Sequence, residues 1–255
     1  MKIAFFDSGV GGLSVMREAF ELFPHEQYLY YADSLNVPYG AFTREQVQVL
    51  ILKAVDLLAS QGIDALVLAC HTASKLMGHK LKRLYGFPVI SMQSGLNEMD
   101  LSTASKTLVC GTDLSIHMWK EELQNSLSSF DYVSLQQLSL FAEAAKFHGN
   151  EIRDYLVSKL KPFQWEHFDT IVLGCTHFVF FKEQIQALVP SHIRILDGIS
   201  PTLNILNTIV TPNTKIYEKK FFYFVSGVPN DPNLLSPYLD LQKLGSKNKL
   251  NYSNM

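Results

Sequence analysis

The sequence predicts an α/β protein with mostly parallel sheets, on two observations. Short apolar runs rich in Val, Ile, Leu, Tyr and Phe alternate with longer helix-like segments from end to end, and one such unit occurs twice. The repeated unit reads DALVLACHTASKLMG at 64–78 and DTIVLGCTHFVFFKE at 169–183. Each copy opens on Asp, runs through Leu-Val or Ile-Val, and ends its apolar run in a cysteine, Cys70 or Cys175. A chain laid down twice in this way predicts two similar βα layers facing each other, with both thiols at one interface.

In chain order, strands are predicted at 2–6, 27–31, 65–69, 88–91, 106–110, 132–135, 170–174, 194–196 and 221–225, each an apolar run of β-favouring residues. Helices are predicted between them at 13–23, 43–61, 73–85, 94–103, 113–128, 139–161, 178–189 and 200–210. The helix at 43–61 is the best punctuated: Thr43 can cap its N-terminus, Glu45 and Gln46 sit in the first turn, and Gly62 follows the last apolar residue. Thr112 and Ser115 supply hydroxyls at the start of another helix. Cys110 lies inside its strand before Gly111 and reads as core. No Pro/Gly/Ser-rich linker divides the chain, and the polar GSKNKLNYSNM at the end reads as a frayed tail.

Composition narrows the function. The 255 residues suffice for one large or two small domains with a substantial core. With 47% hydrophobic residues, 18% charged residues and a formal net charge of -2, the chain reads as a soluble globular protein with no basic excess to drive nucleic-acid binding. The opening MKIAFFDSGVGG has its apolar run interrupted by Asp7 and does not read as a signal peptide. No run approaches the ~20 apolar residues that span a bilayer, so no membrane partner is expected. Three cysteines without an export signal argue for reduced thiols in a cytoplasm rather than a disulfide framework.

The candidate site gathers at the carboxyl ends of the strands, where helix N-termini aim backbone N–H groups at ligands. Cys70 and Cys175 sit at such ends, where the helix dipole favours the reactive thiolate. FFDSGVGG at 5–12 lacks the register of a dinucleotide loop and the Lys of a P-loop. Its glycines instead allow close backbone approach, with Asp7 and Ser8 as polar groups at the strand tip. YYADSLNVPYG at 30–40 ends another strand with Asp33 and Ser34, then turns through Pro38, Tyr39 and Gly40, whose backbone could bind a carboxylate. The eight histidines show no metal-ligand spacing, so no metal is expected.

The stretches FDSGVGGLSV, YYADSLNVPYG, LACHTAS, VCGT and LGCTHF, in this order and with FYFVSG near the end, resemble the glutamate racemase branch of the aspartate/glutamate racemase superfamily. The resemblance implies two α/β domains related by a pseudo-twofold axis, with the site in the cleft between them. It divides the chain into 1–93 plus 208–255, carrying Cys70, and 94–207, carrying Cys175. It implies a cofactor-independent, two-base racemisation of glutamate, with Cys70 acting on the D isomer and Cys175 on the L isomer. Asp7 would assist Cys70, and His177 would assist Cys175 together with Glu143. Ser8, Asp33, Ser34, Pro38, Tyr39, Gly40, His71, Thr72, Thr112 and Thr176 would bind substrate. The residue after the first cysteine is usually Asn in the family; here it is His71, whose ring can be neutral or cationic near neutral pH. A supply of D-glutamate for peptidoglycan and a homodimer also follow from the resemblance. The alternatives are a racemase for aspartate or another amino acid, and a ligand-binding homologue with little catalysis.

Overall fold

The computed structural model describes residues 1–37, 39, 42–96, 106–126, 128–210 and 221–239. Its strands are β1 (Lys2–Asp7), β2 (Gln27–Ala32), β3 (Ala65–Leu68), β4 (Val89–Ser91), β5 (Thr107–Gly111), β6 (Phe130–Ser134), β7 (Thr170–Leu173), β8 (Arg194–Leu196), β9 (Phe221–Val225) and β10 (Val228–Asn230). Its helices are α1 (Leu13–Leu22), α2 (Arg44–Ser60), α3 (His71–Leu84), α4 (Asp113–Leu123), α5 (Gln136–Glu143), α6 (Asn150–Leu160), α7 (Lys182–Gln186) and α8 (Ile199–Asn207).

The strands form two sheets, ordered β10-β9-β2-β1-β3-β4 and β6-β5-β7-β8. The run β2-β1-β3-β4 matches β6-β5-β7-β8 strand for strand, and every pair within each run is parallel. The doubling read in the sequence is therefore a doubling of topology, with β3 and β7, the strands before the two thiols, in equivalent places.

Burial on both faces explains why β1 is apolar from Ile3 to Phe6. Ile3 and Phe5 join the apolar cluster that also holds Leu108, Leu138 and Phe178 of the second half, while Ala4 and Phe6 face the cluster of Val47, Ile51 and Met77 on α2 and α3. A parallel strand covered on both faces needs apolar residues at every position. The first of these clusters runs through both halves, so one continuous core holds the two sheets together. Each large side chain buried there contributes about 1.5–3 kcal/mol.

The expected punctuation is present. Thr43 and Gln46 form a reciprocal capping box on α2, and Thr112 and Ser115 form one on α4. The predicted helix at 139–161 is two helices, α5 and α6. The chain turns between them at Ala145 (φ 52°) and Gly149 (φ 136°), left-handed backbone that no helix accommodates. The predicted helix at 178–189 is mostly a 3-10 segment, Thr176–Phe181, followed by the short α7. The helix expected at 94–103 lies outside the described residues from 97 onward. β10, antiparallel to β9 at the sheet edge, was not foreseen in the sequence, where Pro229 masks it.

Candidate active site

The site is built where β1, β3 and β7 end. β1 ends at Asp7, which is fully buried. Its Oδ1 accepts from Gly9 N (3.1 Å) and Ser8 Oγ (3.2 Å), and its Oδ2 accepts from Thr176 Oγ1 (2.8 Å) of the other half. Burial raises the Asp7 carboxyl above its ordinary value, against the opposing pull of His177 and these donors.

Cys70 is the residue before α3, and its Sγ stands 3.6 Å from Ser8 Oγ. The sequence suggests that the helix dipole favours thiolate here. In the structure burial wins: desolvation, followed by the Asp7 charge, pushes the Cys70 thiol up to about 12, outweighing the Ala73 amide and Ser8. Cys70 is held as a thiol.

Cys175 precedes the 3-10 segment of the second half and is more exposed. Its Sγ lies 3.6 Å from His177 Nδ1, and His177 Nε2 lies 2.7 Å from Glu143 Oε1. Burial alone would lower the His177 pKa. The bonds to Cys175 and Glu143, with the charge of Asp7, overcome it and hold the ring well above its ordinary value. The imidazolium then donates from both nitrogens, one toward the Cys175 sulfur and one to the carboxylate. Glu143 Oε1 also accepts from Val10 N (2.8 Å) and its Oε2 from Ser34 Oγ (3.5 Å), so the acid of one half is tied to the glycine-rich turn and the 34 loop of the other.

The glycines of that turn serve close approach. A Cβ on Gly11 would stand 2.5 Å from Thr176 Oγ1 and 2.7 Å from His177 N, and one on Gly9 would fall on the Glu143 carboxylate. No side chain fits at Gly9 or Gly11, between the turn after β1 and the Cys175 and Glu143 segments.

Both thiols line one cavity of about 50 Å³. From the first half it is walled by Ser8, Tyr39, Cys70, His71 and Thr72, and from the second by Thr112, Cys175, Thr176 and His177. It thus sets a thiol and a thiol–imidazole–carboxylate chain, one from each half, around a space walled by hydroxyls. Such an arrangement can take a proton from one side of a small polar molecule and return one to the other.

The Asp/Glu/Hydantoin racemase family model matches residues 13–205. The chain is 37% identical over 253 residues to the glutamate racemase of Halothermothrix orenii, covering 95% of this chain and 99% of that one. This chain belongs to the Asp/Glu/Hydantoin racemase family. Its fold is shared by solved glutamate racemase structures. Glutamate racemase from Campylobacter jejuni superposes with a TM-score of 0.80 at 24% identity, covering 98% of this chain and 100% of that one. The Francisella tularensis enzyme in complex with D-glutamate gives 0.80 at 21%, with 97% and 95% covered. The two similar α/β domains of the racemase fold are the two sheets with their helices.

Not every residue singled out in this family member's sequence faces the cavity. Asp33 is buried, and its carboxylate is taken up by Asn36 Nδ2 (2.8 Å), Ser226 Oγ (2.9 Å) and Tyr39 OH (2.9 Å). Ser34 reaches Glu143 rather than the cavity lining. Pro38 and Gly40 lie outside the described residues. His71 lines the cavity and is buried beside Trp119, with ring centroids 6.0 Å apart, and its Nε2 has no hydrogen-bond partner among the described residues. Burial, then the Lys75 charge, push its pKa down to about 3, so the ring is neutral. Lys75 lies 3.4 Å from the Trp119 ring centroid and pairs with Glu122.

Gln136, Ser139 and Gly174 also line the cavity and were missed in the sequence. Ser139 had a usable signal: it precedes Glu143 by four residues, one turn along the same face of α5. Among the described residues, no group of three or more His, Cys, Asp or Glu side chains could hold a metal ion.

Proposed function

We propose that the protein interconverts L- and D-glutamate by a two-cysteine, two-base mechanism that uses no cofactor. The observation that carries this reading is the pair of thiols, Cys70 and Cys175, which follow topologically equivalent strands and line one cavity. The relatives named glutamate racemase and the D-glutamate complex of a structural neighbour support glutamate as the substrate.

In the L-to-D direction the Cys175 thiolate takes the Cα proton of L-glutamate as the C–H bond breaks. The electron pair stays on the substrate, delocalised into the α-carboxylate. Cys70, held as a thiol, donates its proton to the opposite face, forming D-glutamate and leaving Cys70 as thiolate. The reverse direction begins from that state. Asp7 attends Cys70 and His177 with Glu143 attends Cys175. Ser8, Tyr39, Thr72, Thr112 and Thr176 of the cavity wall hold the substrate, and their hydroxyl or backbone N–H groups supply donors to the carboxylates, where charge grows in the transition state. Neutral His71 replaces the usual amide as an uncharged polar contact.

The same reading assigns 1–93 plus 208–255 and 94–207 as the two domains. It is supported by β9, which returns late in the chain to pair with β2 of the first sheet. It places the protein in the cytoplasm, supplying D-glutamate to peptidoglycan and so to cell shape. No helix among the described residues is long and apolar enough to cross a membrane. A homodimer is part of the proposal, and sedimentation at micromolar concentration tests it.

Incubation with L-glutamate in heavy water tests the reaction. D-glutamate carrying deuterium at Cα, formed without added cofactor, is expected; absence of both overturns the proposal. A parallel incubation with L-aspartate separates the substrates, since one methylene is worth about 1–3 kcal/mol.

A further inference from the structure

Ser226 follows β9, far from either thiol in sequence, yet its bonds lead to the cavity. It is one of two non-glycine residues with positive φ among the described residues, at 45°. A serine held in the left-handed region is paid for by what that backbone lets its polar atoms do. Ser226 N donates to Ala32 O (2.8 Å), its Oγ donates to Asp33 Oδ1 (2.9 Å), and the same Oγ accepts from Leu35 N (3.1 Å). Asp33, fixed in this way, accepts from Tyr39 OH through its other oxygen at 2.9 Å, and Tyr39 is a wall of the cavity.

Each link is buried or bonded at both ends. The Asp33 side chain is nearly inaccessible. The Tyr39 phenol is raised far above its ordinary value, by burial first and then by the Asp33 charge, so it stays a donor to Asp33. Ser34, inside the same loop, lies 3.5 Å from Glu143 Oε2. Ser226, just after β9, therefore grips the start of the loop at Asp33 and Leu35; between them Ser34 touches the His177 partner, and further on Tyr39 walls the cavity.

We propose that Ser226 is a positioning residue for substrate binding, acting through Asp33 to set Tyr39 against the ligand. The proposal rests on the cavity being the glutamate site. Because Ser226 touches neither thiol, its loss acts mainly on KM: misplacing Tyr39 weakens the hold on substrate and leaves the proton transfers in place.

Three substitutions separate this role from a merely structural one. Ser226→Ala removes the hydroxyl and keeps the backbone strain. Ser226→Gly removes the hydroxyl and relieves the strain. Ser226→Thr keeps the hydroxyl and adds strain, since β-branched residues are poor at positive φ. The expectation is a KM for glutamate raised roughly three- to tenfold in Ala and Gly, with kcat within about twofold, and a near-normal KM in Thr despite its lower Tm. KM that tracks Tm across the three, rather than the presence of the hydroxyl, overturns the proposal.

Amide hydrogen exchange supplies a readout that needs no substrate. The 33–39 segment is expected to exchange faster in Ala and Gly than in Thr and wild type, and unchanged exchange there overturns the proposal. A wild-type protein that fails to racemise glutamate defeats the functional reading alone, because the exchange result stands independently of it.

Discussion

Glu143 Oε1 lies 2.7 Å from His177 Nε2, and this contact joins α5 to the Cys175 segment while the same oxygen accepts from Val10 N across the cleft. Removing its charge tests both roles. Glu143→Gln is expected to lower kcat/KM for L-glutamate about ten- to hundredfold, the worth of a charged buried hydrogen bond. The His177 pKa is raised on folding from 6.5, so the imidazolium contributes stability that is fully present below pH 6.5 and lost as pH rises through the raised value. Thermal melts from pH 6 to 9 should show that loss moving to lower pH in Glu143→Gln. Superimposable melts and rates would remove Glu143 from the chain of proton carriers.

Replacing either site thiol by serine is expected to reduce racemisation by a factor on the order of a hundred to ten thousand, because a hydroxyl is a far weaker acid than a thiol. Cys110 is fully buried within β5 and does not line the cavity. Cys110→Ala should keep turnover and cost about 1 kcal/mol of stability through the small void it leaves. Equal loss of turnover in all three variants, read in one assay with unfolding measured alongside, would refute the assignment of Cys70 and Cys175.

His71 gives a stability signature of opposite sign to His177. Its folded pKa is pushed down to about 3 from 6.5, so it contributes stability present above pH 6.5 that is lost as pH falls toward 3. Urea unfolding at pH 7 and pH 4.5 should show a smaller acid loss in His71→Asn than in wild type. The kcat/KM profiles of the two proteins should run parallel through neutrality, since the neutral ring has no proton to exchange there. A near-neutral ionisation that disappears in the variant would show a charged ring instead.

Gly11→Ala places a methyl group 2.5 Å from Thr176 Oγ1 and 2.7 Å from His177 N. The turn and the Cys175 segment must separate by several tenths of an ångström or more, and turnover is expected to fall on the order of a hundredfold, as misplacement of this kind does elsewhere. Circular dichroism and a rate measurement suffice: native secondary structure with native rate would show that the two halves do not need this closeness.

Much of the architecture could be read from local pattern, because both sheets are parallel and buried, and buried parallel strands write themselves as uninterrupted apolar runs. The thiols and Asp7 stand at the ends of such runs and were readable for the same reason, whereas His177 came into view only through the family resemblance. The break between α5 and α6 was hidden because Ala145 carries no sign of positive φ, and only Gly149 marks the turn. Asp33 illustrates the harder limit. Its sequence neighbourhood is that of a ligand-binding loop, but its carboxylate is consumed by Ser226, Asn36 and Tyr39, one of which comes from the last strand region of the first sheet. Cys70 shows another: a helix N-terminus promises thiolate, and only the structure reveals that burial outweighs it.

The two thiols keep unlike company, a serine hydroxyl beside Cys70 and an imidazole backed by a carboxylate beside Cys175. In a catalyst of mirror-image interconversion this inequality has a strict limit. Enantiomers are equal in free energy, so the Haldane relation makes kcat/KM the same in both directions whatever surrounds each sulfur. The difference between the walls can surface only in kcat and KM taken separately, the isomer held more tightly being turned over proportionally more slowly. A net flow toward one hand must then be drawn by the reaction that removes it.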